Sequence, residues 1–168
     1  MNWMLLPLKR YAQFSGRSRR MEYGMWLVLQ VLIAVAFSIL MIVVGGSAAM
    51  VSDAQASAFA AGGAIMIIAV LNLLVTLALF IPSMAVSVRR LHDLNWSGWL
   101  VLLPLLGWVL FSVSARVEVP GLMIVGGLLL LLGGILGLLM LFMAGTDGPN
   151  KYGEDPKGGG SVDVEVFS

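Results

Sequence analysis

The chain has 168 residues, of which 60% are hydrophobic and 11% are charged, and its mean hydropathy is +0.97. Soluble domains carry about 25% charged residues and disordered chains have low hydrophobicity, so this composition excludes both classes and indicates a protein of the lipid bilayer. Ten basic residues nearly balance nine acidic ones, which gives no case for nucleic-acid binding, and the absence of cysteine excludes disulfides, thiolate metal sites and cysteine nucleophiles.

Four apolar stretches, none of which contains Asp, Glu, Lys, Arg or His, are long enough to cross a bilayer as helices. A spanning helix needs about 20 residues, because the hydrocarbon core is about 30 Å thick and the helix rises about 1.5 Å per residue. The last two stretches are separated by a polar turn that contains Arg116, Glu118 and Pro120. This turn is predicted to lie outside the membrane, because charged side chains in mid-bilayer cost free energy. The predicted spans are 24–44, 65–86, 96–115 and 121–144.

The predicted fold is therefore all-α: a polytopic membrane protein with four transmembrane helices. These helices form a single membrane domain over residues 1–157, and residues 158–168 are predicted to be a flexible C-terminal tail. A loop is predicted at Gly45–Ala64, between the first two spans. It carries no basic residue and one acid, Asp53.

The orientation follows from Lys and Arg near the span ends, which stay on the cytoplasmic side. On the opposite side of the predicted bundle, Arg116 is the one basic residue. Both termini are therefore expected in the cytoplasm. The nine basic residues on that side are Lys9, Arg10, Arg17, Arg19, Arg20, Arg89, Arg90, Lys151 and Lys157.

Uncharged polar residues mark one face of the second span. Asn72, Thr76 and Ser83 lie close to one helical face, and hydrogen bonding between helices is the simpler interpretation. A polar path through the bundle is the other. No ionisable residue lies within the spans, which disfavours proton-coupled transport through a mid-membrane carboxylate.

Glycines mark one face of the fourth span. Gly126, Gly133 and Gly137 share that face, and small residues in membrane helices let backbones approach closely. The pattern predicts packing within the monomer or self-association into a homo-oligomer, and does not distinguish them.

The charged and polar residues at the predicted cytoplasmic end form the candidate interaction face. They anchor the topology, or they recognise an anionic lipid headgroup or another membrane protein, since each basic residue near an anionic surface adds about 1 kcal/mol. The acids among them predict a salt-bridged cap that joins the N-terminal arm, the central loop and the tail. The candidate residues are Arg17, Arg19, Arg20, Glu22, Arg89, Arg90, His92, Asp93, Asn150 and Tyr152.

A catalytic role has weak support. His92, Asp93 and Ser97 are the residue types of a catalytic triad, but three residues within six positions are not expected to converge on one point. The serine also lacks the preceding glycine of a nucleophile elbow. A structural hydrogen bond is expected for His92. No catalytic, metal or cofactor site is predicted, and the protein is expected not to be an enzyme.

Three local motifs stand out in the polar segments: FSGRSRRMEY at 14–23, VRRLHD at 88–93 followed by SGW at 97–99, and GTDGPNKYGEDP at 145–156. Together they resemble the motifs of one family of bacterial inner-membrane proteins, DUF805. The resemblance covers about residues 10–157 and implies a multi-pass protein of the bacterial inner (plasma) membrane. It implies no activity, because the family is defined without one.

The chain departs from the family pattern in two places. Gly24 replaces a usual tryptophan, and residues 113–136 add about one extra helix. The segment 96–115 therefore either spans the membrane or re-enters it, with Pro104 and Gly107 as the point of a bend.

The predicted function is that of a non-enzymatic membrane protein whose basic cytoplasmic face binds a partner or an anionic lipid. The alternative is a small transporter or channel component. A polar cavity running past Asn72 to both membrane faces would favour transport, whereas a solid apolar core with a flat basic face would favour binding.

Overall fold

The computed structural model describes residues 3–49 and 54–156, which are helical apart from turns and one isolated bridge between Asn150 and Gly153. The predicted flexible tail at 158–168 lies outside these ranges. In chain order the helices are the 3-10 helix Trp3–Leu5, α1 (Leu6–Lys9), α2 (Arg20–Ala49), α3 (Ala54–Asp93), the 3-10 helix Gly98–Val101, α4 (Leu102–Val117) and α5 (Pro120–Phe142).

Within the described ranges, four helical stretches are long and apolar enough to cross a membrane, which confirms the all-α, four-helix prediction. The third measures 20 residues, and within it α4 is one uninterrupted α-helix from Leu102 to Val117 that includes Gly107. Pro104 lies near the start of α4, where proline is tolerated because the first turn leaves its amides unpaired. The four stretches are Arg20–Ser47, Ala61–Asp93, Gly98–Val117 and Pro120–Phe142.

The predicted loop at Gly45–Ala64 is wrong over most of its length. Helix α2 continues to Ala49 and α3 begins at Ala54. Asp53 belongs to the short remainder, outside the described residues. Alanine is abundant at the start of α3 and is the strongest helix former, so the helix begins ahead of the apolar stretch 65–86.

The long helices form two antiparallel hairpins, α2 with α3 and α4 with α5, and α2 also contacts α5. Between α4 and α5 the chain turns at Glu118, whose φ of 50° is left-handed, and Ser114 Oγ donates to the carbonyl of Val119 at 3.0 Å. At the end of the bundle where the chain begins and the tail lies, both hairpins contribute to one apolar core. Its buried residues are Tyr23, Trp26, Val86, Leu91, Leu94, Leu136 and Met140.

Glycines on α5 allow the second hairpin to close. A Cβ atom on Gly126 would lie 2.6 Å from the backbone nitrogen of Phe111, and one on Gly133 would lie 2.6 Å from Cβ of Pro104. Two of the predicted packing glycines thus lie against α4 of the same chain. Gly137 faces Tyr23 of α2, whose hydroxyl would be 3.8 Å from an added Cβ.

We expect Gly126→Ala to lower the free energy of unfolding by about 1–3 kcal/mol, because the new methyl group meets backbone atoms that cannot move aside. Denaturant unfolding in detergent micelles measures this effect. Gly127→Ala is the matched control, since nothing lies within 4 Å of a Cβ there. That variant should gain stability, as alanine is the better helix former by about 1 kcal/mol. Equal effects of the two variants would contradict the close α4–α5 contact.

Candidate functional site

Three segments distant in sequence meet at one end of the bundle: the arm at 14–19, the last turn of α3 and the tail at 143–156. We call these segments together the polar cap. Main-chain hydrogen bonds connect them, since the amide of Ser18 donates to the carbonyl of Arg89 at 3.1 Å and the amide of Thr146 donates to the carbonyl of Asp93 at 2.9 Å. The continuation of α3 to Asp93 places both acceptors near its C-terminal end.

Asp93 is the centre of the polar cap. One carboxylate oxygen accepts a hydrogen bond from Nε of Arg17 at 2.9 Å, and the other pairs with Nη1 of Arg90. All three side chains are at most 3% exposed. Arg17 also donates to the tail carbonyls of Gly148, at 2.6 Å, and Thr146. One carboxylate therefore links the arm, α3 and, through Arg17, the tail.

Arg90 joins the polar cap to the end of α5. Its Nε donates to the carbonyl of Met140 at 2.7 Å and its Nη2 donates to the carbonyl of Met143. The last carbonyls of a helix have no intrahelical partner and carry partial negative charge, so a buried guanidinium there is stabilised. Arg90 thus hydrogen-bonds to the carbonyls at the end of α5 and neutralises the charge of Asp93 at the same time.

A second buried ion pair fixes the start of α2. Nη2 of Arg89 lies 2.8 Å from Oε1 of Glu22, and both side chains are at most 3% exposed. Glu22 lies in the first turn of α2, where the helix dipole favours a negative charge. Nη1 of Arg89 donates to the carbonyl of Gln13, which immediately precedes the arm.

The tail packs on the end of α3 through close contacts. A Cβ atom on Gly145 would lie 1.9 Å from Oδ2 of Asp93, so glycine is required there. The side chain of Asn150 donates to the carbonyl of His92 at 2.9 Å. The ring of His92 stacks on Tyr152 at a centroid distance of 3.8 Å, and its Nδ1 lies 3.3 Å from the carbonyl of Gly16.

The structure brings the ten predicted face residues to one end of the bundle. Ion pairs join the arm and the start of α2 to α3, as in the predicted salt-bridged cap, whereas the tail is joined through main-chain carbonyls. Five of them are buried, and their charges are paired within the chain: Arg17, Glu22, Arg89, Arg90 and Asp93. Three of the five arginines in the set of ten are therefore buried in internal ion pairs, so this end of the bundle is not the flat basic face that would favour binding. The reason is that two carboxylates and several main-chain carbonyls lie within reach of them.

Arg19 and Arg20 remain accessible. Arg20 is exposed, and Arg19 is half-buried, with Nε donating to the carbonyl of Pro156 at 2.6 Å. Neither guanidinium forms an ion pair with any residue in the described ranges. Both line a small cavity of about 180 Å³ between the start of α2 and the end of α5, together with Met21, Arg90, Asp93, Ala144 and Gly145.

The residues of a hypothetical triad have other partners. Asp93 is engaged by two arginines, and His92 contacts Gly16 and Tyr152. Among residues 3–49 and 54–156, no group of three His, Asp or Glu side chains is placed to hold a metal ion. A cavity of about 340 Å³ lies beside His92, and its other lining residues are Val88, Ser97, Gly98, Trp99, Val101, Leu102 and Tyr152.

Asn72 lies apart from the polar cap, within the membrane-spanning part of α3. It lines a cavity of about 360 Å³ whose lining comes from α2 and α3 alone. Ser83 Oγ, in the same cavity, accepts from Nε2 of Gln30 at 2.8 Å and from Nε1 of Trp26 at 3.1 Å. In the described part of the chain, the predicted interhelical hydrogen bond is thus made by Ser83 and Gln30, and the side chain of Asn72 makes none.

Sequence reasoning missed the main-chain acceptors and Gly145. The carbonyls of Met140, Met143, Thr146 and Gly148 bind the cap arginines, but any residue type supplies a carbonyl and no side-chain pattern marks them. Gly145 belongs to the tail motif at 145–156 that resembles the family. Its distance in sequence from the arginines does not indicate that it packs against Asp93.

We expect Asp93→Asn to destabilise the protein by about 3–5 kcal/mol, because it leaves two buried guanidinium groups without their counter-charge. Thermal or denaturant unfolding in micelles measures the loss. Glu154→Gln removes an exposed acid of the same tail and should change stability by less than about 0.5 kcal/mol. If Asp93→Asn were as mild as this control, Asp93 would not be the centre of the cap.

Sequence comparison relates this chain to known proteins of the inner membrane. Inner membrane protein YhaI of Escherichia coli (strain K12) is 29% identical over 162 residues, which cover 95% of this chain and 98% of that protein. Inner membrane protein YhaH of the same strain is 29% identical over 160 residues, covering 94% and 98%. No solved structure matches the chain.

The family model for the protein of unknown function DUF805 matches residues 11–154, which include the four long helices and all of the polar cap except its last two residues. Together with four apolar helices of membrane-spanning length, the relatives show that this is a multi-pass protein of the inner membrane. The chain belongs to the DUF805 family.

Proposed function

We propose that this protein is a non-enzymatic component of the inner membrane whose polar cap faces the cytoplasm and binds the phosphate of an anionic phospholipid. The observation that carries the proposal is the charge left over after internal pairing. In the described residues the cap end of the bundle holds eight basic side chains and five acidic ones. Arg19 and Arg20 have no carboxylate partner there.

The cavity beside Arg20 suits a phospholipid headgroup. Two of its basic residues, Arg19 and Arg20, lie at the start of α2, and the third, Arg90, comes from α3. The exposed Met21 and Ala144 supply apolar surface next to them. The charge of Asp93 at this cavity is offset by two arginines, so it does not repel an anion strongly. Basic pockets between membrane helices on the cytoplasmic side are typical binding places for acidic headgroups.

The transport alternative has weaker support. On the cap side, the last residues that line the cavity beside Asn72 are Ser83 and Met84. Beyond them, Trp26, Val86 and Leu91 form part of the packed apolar core. A conducting path would have to cross that core. The core contains no Asp, Glu, Lys, Arg or His, which are the residues that mark ion pathways in membranes.

Orientation is testable because the chain contains no cysteine. A cysteine at Glu118, in the turn between α4 and α5, should react with a membrane-impermeant maleimide added to intact spheroplasts. A cysteine at Lys151, on the exposed surface of the cap, should react after permeabilisation and not before. The reverse pattern would contradict a cytoplasmic cap.

Lipid binding is testable by competition in nanodiscs that contain phosphatidylglycerol and phosphatidylcholine. We expect Arg20→Ala to weaken retention of phosphatidylglycerol about fivefold, since one basic residue near an anionic surface contributes about 1 kcal/mol. The preference should also weaken with salt, because exposed charges are screened. Native mass spectrometry of the released complexes measures it.

Arg116→Ala is the matched control for this experiment. Arg116 is exposed and lies at the other end of α4, away from the polar cap. Its removal should leave the phosphatidylglycerol preference unchanged. Equal losses in the two variants, or no preference in the parent protein, would contradict the proposed site.

A further inference from the structure

Two polar side chains on the membrane-spanning part of α3 have no partner within the described chain. Asn72 is half-buried and Thr76 is exposed, and both line the cavity between α2 and α3. Nearby, Ser83 already accepts two hydrogen bonds, from Trp26 and Gln30, and donates one to the carbonyl of Leu79 at 2.5 Å. It is therefore saturated and cannot serve Asn72.

An amide without a partner is unfavourable at this depth. Asn72 lies well inside the apolar stretch 65–86, where no bulk water is present to replace a lost hydrogen bond. The cavity is lined by α2 and α3 alone, so it opens sideways from that hairpin toward lipid. Acyl chains can fill its apolar part but have no donor or acceptor for Asn72.

The occupant must therefore bring hydrogen-bonding groups and must reach the cavity through the membrane. The cavity has no charged lining residue, which disfavours an ion or a charged solute. An amide carries both a donor and an acceptor, so its dipole is complementary to a second copy of itself. In a two-fold dimer each residue on the axis faces its own counterpart.

We propose that a second copy of this chain docks on the α2–α3 surface and that the Asn72 amides of the two copies hydrogen-bond across a two-fold axis. Polar side chains in membrane helices are established sources of such association. Val75 and the exposed Phe80 lie on the same cavity wall and would pack against the partner around the amide pair. This dimer uses a different surface from the proposed lipid site and does not depend on it.

Cross-linking tests the geometry directly. Because the chain has no cysteine, Val75→Cys introduces a single thiol one turn from an intact Asn72. A short, membrane-permeable bis-thiosulfonate should convert this variant into a covalent dimer in native membranes. The adjacent Leu74→Cys is the control, since Leu74 is 56% exposed but points about 100° away around the helix. Equal cross-linking at the two positions, or none at Val75→Cys, would overturn the proposed interface.

Association in liposomes tests the role of the amide. We expect Asn72→Leu to lower the dimer association constant about fivefold to tenfold, from the average strength of two interhelical hydrogen bonds. Energy transfer between labelled copies at increasing lipid dilution measures that constant. Asn72→Leu should fold normally, with unchanged circular dichroism, because Asn72 has no partner within the described chain.

Leu74→Ala serves as the control variant and should leave association within about twofold of the parent. An Asn72→Leu protein that associates as well as the parent would show that the amide is not in the interface. A parent that stays monomeric at every lipid ratio would also overturn the proposal, and would assign the cavity to a different membrane protein or to a neutral lipid-soluble ligand.

Discussion

The structure depends on one buried carboxylate. Asp93 lies at the end of α3 and pairs with Arg17 from the arm and Arg90 from its own helix, and these arginines extend the network to the tail and to α5. A lone carboxylate at such a position would be strongly destabilised by desolvation, and so would either arginine. The three charges and the main-chain carbonyls around them are stable only as a set. Arg17 and Asp93, which lie 76 residues apart in sequence, are thereby held together at one end of the bundle.

This constraint also explains why the two hairpins stay together. Helices in a bilayer gain little from apolar contact with each other, because lipid chains are equally apolar. The α4–α5 hairpin closes through glycines and backbone proximity, and the α2–α3 hairpin has the Ser83 hydrogen bonds. Between the hairpins, the shared elements are the apolar core around Trp26 and Met140 and the polar cap above it. The cap is thus structural first, and the lipid binding that we propose for it rests on the charges that internal pairing leaves over.

Much of the fold was predictable from sequence, because hydropathy and charge are local signals. The four apolar stretches gave the helices, and the basic clusters near 17–20 and 89–90 gave the cap residues. The predicted helix bounds were less accurate. The alanine-rich residues after Ala54 are helical and extend α3 ahead of the predicted span 65–86. The burial of Arg89 and Arg90 could not be read from sequence, because it depends on Glu22, Asp93 and carbonyls that arrive through tertiary packing. The lack of a hydrogen-bond partner for Asn72 within the described chain was likewise not predictable. Gln30 and Asn72 are both amides within predicted spans, and the sequence does not indicate that Ser83 bonds with Gln30.

The most direct test of this account is a double-mutant cycle between Arg17 and Asp93, measured as free energies of unfolding in micelles. Arg17→Gln and Asp93→Asn each remove one charge at nearly constant size, and the double variant removes both. If the buried network holds the arm to α3, the coupling energy should exceed about 1 kcal/mol, within the range found for contacting charged residues. Additive losses, with no coupling between the two positions, would contradict the central role of Asp93.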